Sequence, residues 1–135
     1  ESTLNNLNNV CFIRTQIELI DKIFCEQEVS EIWITFPDPQ QKIQRKKHRL
    51  TNSFFMSLYK KILKKGGEVN LKTDSEFLHG YTIGLLEGMR IDPIFANHDI
   101  YSNNNAPKEV LEIKTFYEKK FIDSKKITFL KFKFD

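Results

Sequence analysis

EIWITFPDPQQKIQRKKHRL, residues Glu31 to Leu50, is the stretch on which the fold turns. Ile32, Trp33, Ile34 and Phe36 make an apolar run of strand length. Pro37 and Pro39 then forbid its continuation, because proline has no N–H to give to a ladder. Between them stands one carboxylate, Asp38, and the chain then turns basic through Lys42, Arg45, Lys46, Lys47 and Arg49, with His48 among them. Open α/β sheets bind their ligands outside the carboxyl ends of the strands, so a strand that ends on an acid beside a cationic loop predicts a ligand site there.

Upstream, residues 1–8 are polar and Asn-rich, and Val10 to Arg14 reads as a short buried strand. Thr15 and Glu18 form a capping-box pattern for a helix carrying Ile17, Ile20, Ile23 and Phe24, and Cys25 to Ser30 reads as a turn. Downstream, Thr51 or Asn52 caps a helix whose apolar stripe is Phe54, Phe55, Leu58, Tyr59, Ile62 and Leu63, with Gly66-Gly67 as its stop. Glu68 to Lys72 alternates like a strand and runs into Thr73-Asp74. Ser75 to Arg90 is a further helix, with Phe77, Leu78, Tyr81, Leu85 and Met89 inward. A strand over Ile91 to Ala96, an Asn-rich loop to Ala106 and a helix starting near Pro107 or at Thr115 follow. Lys126 to Asp135 alternates Phe and Leu with Lys as a half-buried strand does. Alternating strands and helices predict an α/β domain with a mainly parallel, doubly wound sheet.

The 135 residues suit a single domain, 1–135, and 40% hydrophobic with 29% charged residues is ordinary for a globular protein. Cys11 and Cys25 make no disulfide framework and have no metal-ligand spacing, so both read as reduced core residues, and Trp33 reads as core. The sequence carries no secretory segment, no apolar run of membrane length and no lipidation motif, which suits a cytoplasmic protein. The net charge of +3 hides an asymmetry: from Pro39 to Gly67 there are nine Lys or Arg and no acid. Such a block fits either a polyanion partner or a solvated face.

Two acids, Asp38 and Asp74, follow predicted strands. Alone, the first reads as a turn former and the second as a helix N-cap. Together, beside the basic loop, they predict one pocket mouth. His48, His79 and His98 lack partners at useful spacing, and neither a P-loop nor a Gly-rich dinucleotide turn is present.

FPDP at 36–39, Lys42, the basic tract to Arg49-Leu50, the Gly pair, LKTD at 71–74 and TFYE at 115–118 resemble, in order and spacing, the tRNA (guanine-N7)-methyltransferase family over nearly the whole chain. The resemblance implies a Rossmann-like class I methyltransferase fold, mainly parallel with an antiparallel last strand, and transfer of a methyl group from S-adenosylmethionine to N7 of a variable-loop guanine in tRNA. It implies Asp38 as the catalytic and cofactor-side acid, with Gln16 where the family has an adenine-contacting Asp. Lys42, Asp74 and the segment from Thr115 to Glu118 are implied to hold the substrate, with Thr115 and Glu118 as its named residues, and Arg45, Lys46, Lys47 and Arg49 the RNA. Gln40 stands where the family has Trp. The family's first two strands, with their Gly-rich loop and ribose-binding acid, have no counterpart in these residues. The resemblance therefore implies a fold incomplete at its N-terminus, the C-terminal part of a methyltransferase domain, inactive alone. Its sheet edge at Glu31 to Phe36 is open for pairing with another copy or another segment. Another class I methyltransferase, a non-enzymatic RNA-binding module and an interaction domain are the alternatives.

Overall fold

The computed structural model describes residues 7–134. After a 3-10 turn at Ile17–Leu19 come α1 (Ile20–Ile23) and β1 (Val29–Thr35), then a 3-10 helix at Ile43–His48 that carries the basic tract. There follow α2 (Ser53–Ile62), β2 (Leu63–Thr73), α3 (Glu76–Gly88), β3 (Phe95–Asn97), α4 (Lys108–Glu112), α5 (Phe116–Phe121) and β4 (Thr128–Lys133). The four strands form one sheet in the order β1-β2-β4-β3. β1 and β2 are parallel, and β4 is antiparallel to both β2 and β3. Three strands therefore run one way and the last runs against them, as the family resemblance implies.

Both faces of the sheet are covered. Ile34, Val69, Leu71, Leu130 and Phe132 pack against Phe55, Met56 and Tyr59 of α2 and Leu78 and Leu86 of α3. On the other face Phe129 joins Ile100, Val110 and Ile127, under α4. Strand alternation explains the division, since Leu130 and Phe132 point one way and Phe129 the other. It also explains Trp33, predicted as core: it lies on the opposite face from Ile34, stacks on Phe129 at 5.9 Å between ring centroids, and stays 40% exposed near the free edge of β1.

Several expectations are corrected. Val10 to Arg14 forms no strand and Phe12 is 82% exposed, because nothing among the described residues offers the segment a ladder. Cys11 and Cys25 are exposed free thiols rather than core residues. The Thr15–Glu18 capping box does not form; Gln16 is the N-cap and makes no side-chain cap bond.

Gly66-Gly67 does not stop α2, which gives way to β2 at Leu63. The pair sits inside β2, where the register with β1 jumps from Val29–Leu63 to Glu31–Glu68 and the extra residues bow out. Gly66 has φ of 78°, and a Cβ on Gly67 would lie 2.9 Å from Lys64 O and 3.0 Å from Ser30 O. In α3 the buried face is Leu78, His79, Thr82 and Leu86, while Phe77 and Met89 are more than a third exposed and Tyr81 and Leu85 are partly buried. Thr82 sets this rotation, since its hydroxyl bonds Thr51 Oγ1 at 2.8 Å under the helix. The last helix expected proves to be two, α4 and α5.

Candidate active site

Adjacent parallel strands end on the same side of a sheet, and the pairing of Thr35 with Lys72 aligns the ends of β1 and β2. The backbone leaves β1 through Phe36, whose φ is 48° and whose N–H donates to Lys72 O at 2.8 Å. Gln40, at φ 49°, closes the Pro37-Asp38-Pro39 turn by donating its N–H to Asp38 Oδ1 at 3.0 Å. Left-handed backbone at such residues costs about 1–3 kcal/mol each, a strain commonly held where a chain presents a functional group. Asp38 Oδ2 makes no hydrogen bond or ion pair among the described residues.

β2 ends one residue before Asp74. Ser75, not Asp74, caps α3, accepting the Leu78 N–H at 3.1 Å. Asp74 is thereby released from the capping role and lines a cavity of about 880 Å³ together with Phe36, Asp38, Phe77, Tyr117 and Lys125. The two acids that the sequence singles out thus share one mouth. Asp74 Oδ2 receives Lys125 Nζ at 2.7 Å and the Tyr117 hydroxyl at 3.0 Å, and Lys125 Nζ lies 2.9 Å from that hydroxyl. Burial pushes the Asp74 carboxyl up, but the bonds from Lys125 and Tyr117 and the Lys125 charge outweigh it and hold the group below the usual carboxylate range. The same hydrogen bond to Asp74, with that to Tyr117, raises the Lys125 ammonium.

Tyr117 reaches the cavity because α5 is anchored from beneath. Thr115 accepts the Glu118 N–H at 3.1 Å, and Glu118 Oε2 accepts the Thr115 N–H at 3.3 Å, completing a capping box. Glu118 is fully buried; its Oε1 lies 2.7 Å from Lys72 Nζ and accepts the Tyr101 hydroxyl. The segment 115–118 thus stands beside the site, yet its capping side chains, Thr115 and Glu118, face a smaller cavity of about 330 Å³ with Trp33 and Lys72. The residue between them meets Asp74. Lys125 is the functional candidate that the sequence reading missed, since it carried no local signal; Tyr117 lay inside the segment expected to hold the substrate but was not singled out within it.

The basic tract divides in two. Lys42, Arg45, Lys46 and Lys47 are exposed and pair with no carboxylate among the described residues. Lys42 and Arg45 line, with Asp38, a second cavity of about 460 Å³ beside the first. Arg49 is 7% exposed and corrects the expectation of a surface cation: its guanidinium donates to Gln40 O and Gln41 O at 3.0 and 3.1 Å and lies over the rings of Phe77 and Tyr81. It ties the tract to α3. Gln40, the departure from the family's Trp, is part of the same brace, accepting Arg45 Nε on its side chain at 2.8 Å. Gln16 is exposed and lines neither cavity with Asp38, since the strand expected to deliver it is not formed.

Among the described residues no cluster of His, Cys, Asp and Glu could hold a metal ion, and no helix is long and apolar enough to cross a membrane.

Residues 1–130 match a family model described as "Putative methyltransferase". The chain is 59% identical over 128 residues to a tRNA (guanine-N(7)-)-methyltransferase of Christiangramia forsetii, covering 94% of this chain and 57% of that protein. Proteins of the same description from Porphyromonas gingivalis and Bacteroides thetaiotaomicron are 47% and 42% identical, over 91% and 98% of this chain and 50% and 52% of theirs. The chain spans about half the length of the curated relatives it matches.

Proposed function

Because the chain belongs to this methyltransferase family, we propose that the protein carrying it methylates tRNA, moving a methyl group from S-adenosylmethionine to N7 of a variable-loop guanine. The relatives' descriptions support the substrate. The observation that carries the reading is the one cavity lined by Asp38 and Asp74, with Lys42 and Arg45 lining the adjoining one and Lys46 and Lys47 exposed on the same tract, all four without a carboxylate partner among the described residues. With tRNA as substrate, the place of action is the cytoplasm.

The residues present fit one side of the cofactor. Asp38, with Oδ2 uncommitted among the described residues, suits the cationic end or a ribose hydroxyl; Gln16 stands apart from it, and the chain has no Gly-rich turn. When bound, the cofactor supplies an electrophilic methyl. Guanine N7 bears its own lone pair, so no strong base is needed and the protein's work is alignment. Asp74, held ionised, can accept from the guanine N1–H and exocyclic amino group. As N7 gains its methyl the purine becomes cationic, so a carboxylate on that edge binds more strongly as the reaction proceeds. Phe36, Phe77 and Tyr117 offer flat surfaces for a base taken out of its stack. Lys42, Arg45, Lys46 and Lys47 suit the flanking phosphates. The outer edge of β1, paired with nothing among the described residues, is a template for another strand of the same protein or of a second copy.

The test uses the protein as its gene encodes it, unmodified tRNA and S-adenosylmethionine. Borohydride reduction followed by aniline cuts RNA at 7-methylguanine, and scission at a variable-loop guanine is expected; scission elsewhere, or none, contradicts the assignment. Reversing Arg45, Lys46 and Lys47 to Glu should weaken tRNA binding and lower the slope of log K against log salt by about 3. An unchanged slope, measured by filter binding from low to moderate salt, would remove the tract from the interface.

A further inference from the structure

We propose that Lys125, in the connection between α5 and β4, is a positioning residue for the transfer, fixing the Asp74 carboxylate so that Oδ1 is presented to the guanine. The inference rests on reading the cavity as a guanine site. Its geometry is independent of that reading. Both polar partners of Asp74 converge on one oxygen, Oδ2, and Oδ1 accepts no hydrogen bond from another residue among those described. A carboxylate gripped at one oxygen keeps a single orientation and offers the other as an acceptor.

The lysine is itself held at both ends of its loop. Its N–H donates to Phe121 O at 2.9 Å, closing the turn after α5, and three residues later Thr128 Oγ1 donates to Thr73 O at 3.0 Å. Lys125 is thereby pinned over the residue that precedes Asp74. Its ammonium lies 5.5 Å from the Tyr117 ring centre and 5.0 Å from that of Phe121, so the stem has packed surfaces on which to rest. The pair is not a stability device of consequence: the Lys125 and Asp74 side chains keep 42% and 19% exposure, where ion pairs contribute little. What the contact fixes is direction.

The other charged and titratable groups around Asp74 are few. Tyr117 comes from α5, Asp38 faces it from the turn after β1, and Glu76 in the first turn of α3 is engaged by Lys126 at 3.7 Å. Both acids oppose ionisation of Asp74, and among the described residues Lys125 is the cation in contact with it. Removing the lysine should therefore move Asp74 titration to higher pH. Activity that needs the carboxylate would lose its acid limb earlier as pH falls.

The experiment compares Lys125→Met and Lys125→Arg with the unaltered protein, reading kcat and KM for tRNA methylation across pH, tRNA Kd, and the carboxyl carbon shift of Asp74 in a carbon-13 NMR titration. Lys125→Met should lower kcat/KM about ten- to a hundredfold, chiefly in kcat, with tRNA Kd within about twofold. Its acid limb and the Asp74 titration should both move up in pH, and Lys125→Arg should recover most of the loss. A kcat/KM within twofold of the unaltered protein, or an acid limb that stays in place, overturns the inference and leaves the site reading standing. An Asp74 carbon titrating identically with and without the lysine overturns it too, whatever the activity. If the unaltered protein does not methylate tRNA, the site reading fails instead.

Discussion

Lys72→Met is expected to lower the unfolding free energy by about 3–5 kcal/mol, the usual cost of leaving one member of a buried ion pair uncompensated. Lys72 is 3% exposed and Glu118 fully buried, with 2.7 Å between Nζ and Oε1. The ammonium also donates to Ile113 O at 3.2 Å and to Val110 O, so one side chain ties β2 to α4, to the α4–α5 link and to α5. Domains of this size are stable by about 5–15 kcal/mol, so the loss is a large part of the whole. The midpoint of urea unfolding measures it, at constant slope. Pairing Lys72→Met with Glu118→Leu should recover much of the loss, because it removes the stranded charge. A single variant within about 1 kcal/mol of the unaltered protein would mean that α5 is not anchored through this pair. Since α5 carries Tyr117, loss of the anchor also loosens the part of the cavity wall that Tyr117 supplies.

Asp38→Ala is expected to reduce kcat for tRNA methylation at least a hundred- to a thousandfold, the range seen when one preorganised electrostatic contact to a transition state is removed. The tRNA Kd should stay within a few-fold, because the exposed cations of the tract remain. Asp38→Asn separates charge from shape. Asparagine keeps a side-chain oxygen to accept the Gln40 N–H, so the turn between the prolines survives while the charge is gone. Comparable losses in both variants would assign the effect to the carboxylate charge. Activity retained in Asp38→Asn would assign it to the turn, and activity retained in Asp38→Ala would remove Asp38 from the reaction. Single-turnover rates and tRNA binding, measured in the same buffer, decide among these.

The candidate site was legible in the sequence wherever a local rule had one meaning. Two prolines flanking an acid can end a strand in only one manner, and the Thr73-Asp74 step after an alternating run placed the second acid at the next strand end. Adjacency then followed from topology. Rules with two meanings misled. Glycine serves a helix stop and a bulge alike, so Gly66-Gly67 was read as the former and is the latter. Thr115 and Glu118 formed the capping box their spacing predicts, and that bond turns both away from the cavity in favour of Tyr117. A run of cations does not reveal which of them folds inward, and Arg49 does so because Phe77 and Tyr81, left on the outer flank of α3, stack on it. Val10 to Arg14 has strand composition without a strand beside it among the described residues. Lys125 could not be read at all: its partner is 51 residues away and no pattern links them.

The measurement that bears most directly on the shared cavity is a structure of the protein bound to tRNA and a non-reactive cofactor analogue. The target guanine is expected between Asp38 and Asp74, with its N1–H and amino group within hydrogen-bond distance of Asp74 and its N7 on the side of Asp38. Its flanking phosphates should lie along Lys42, Arg45, Lys46 and Lys47. A guanine seated elsewhere, or a bound tRNA with those four cations turned to solvent, would contradict the assignment.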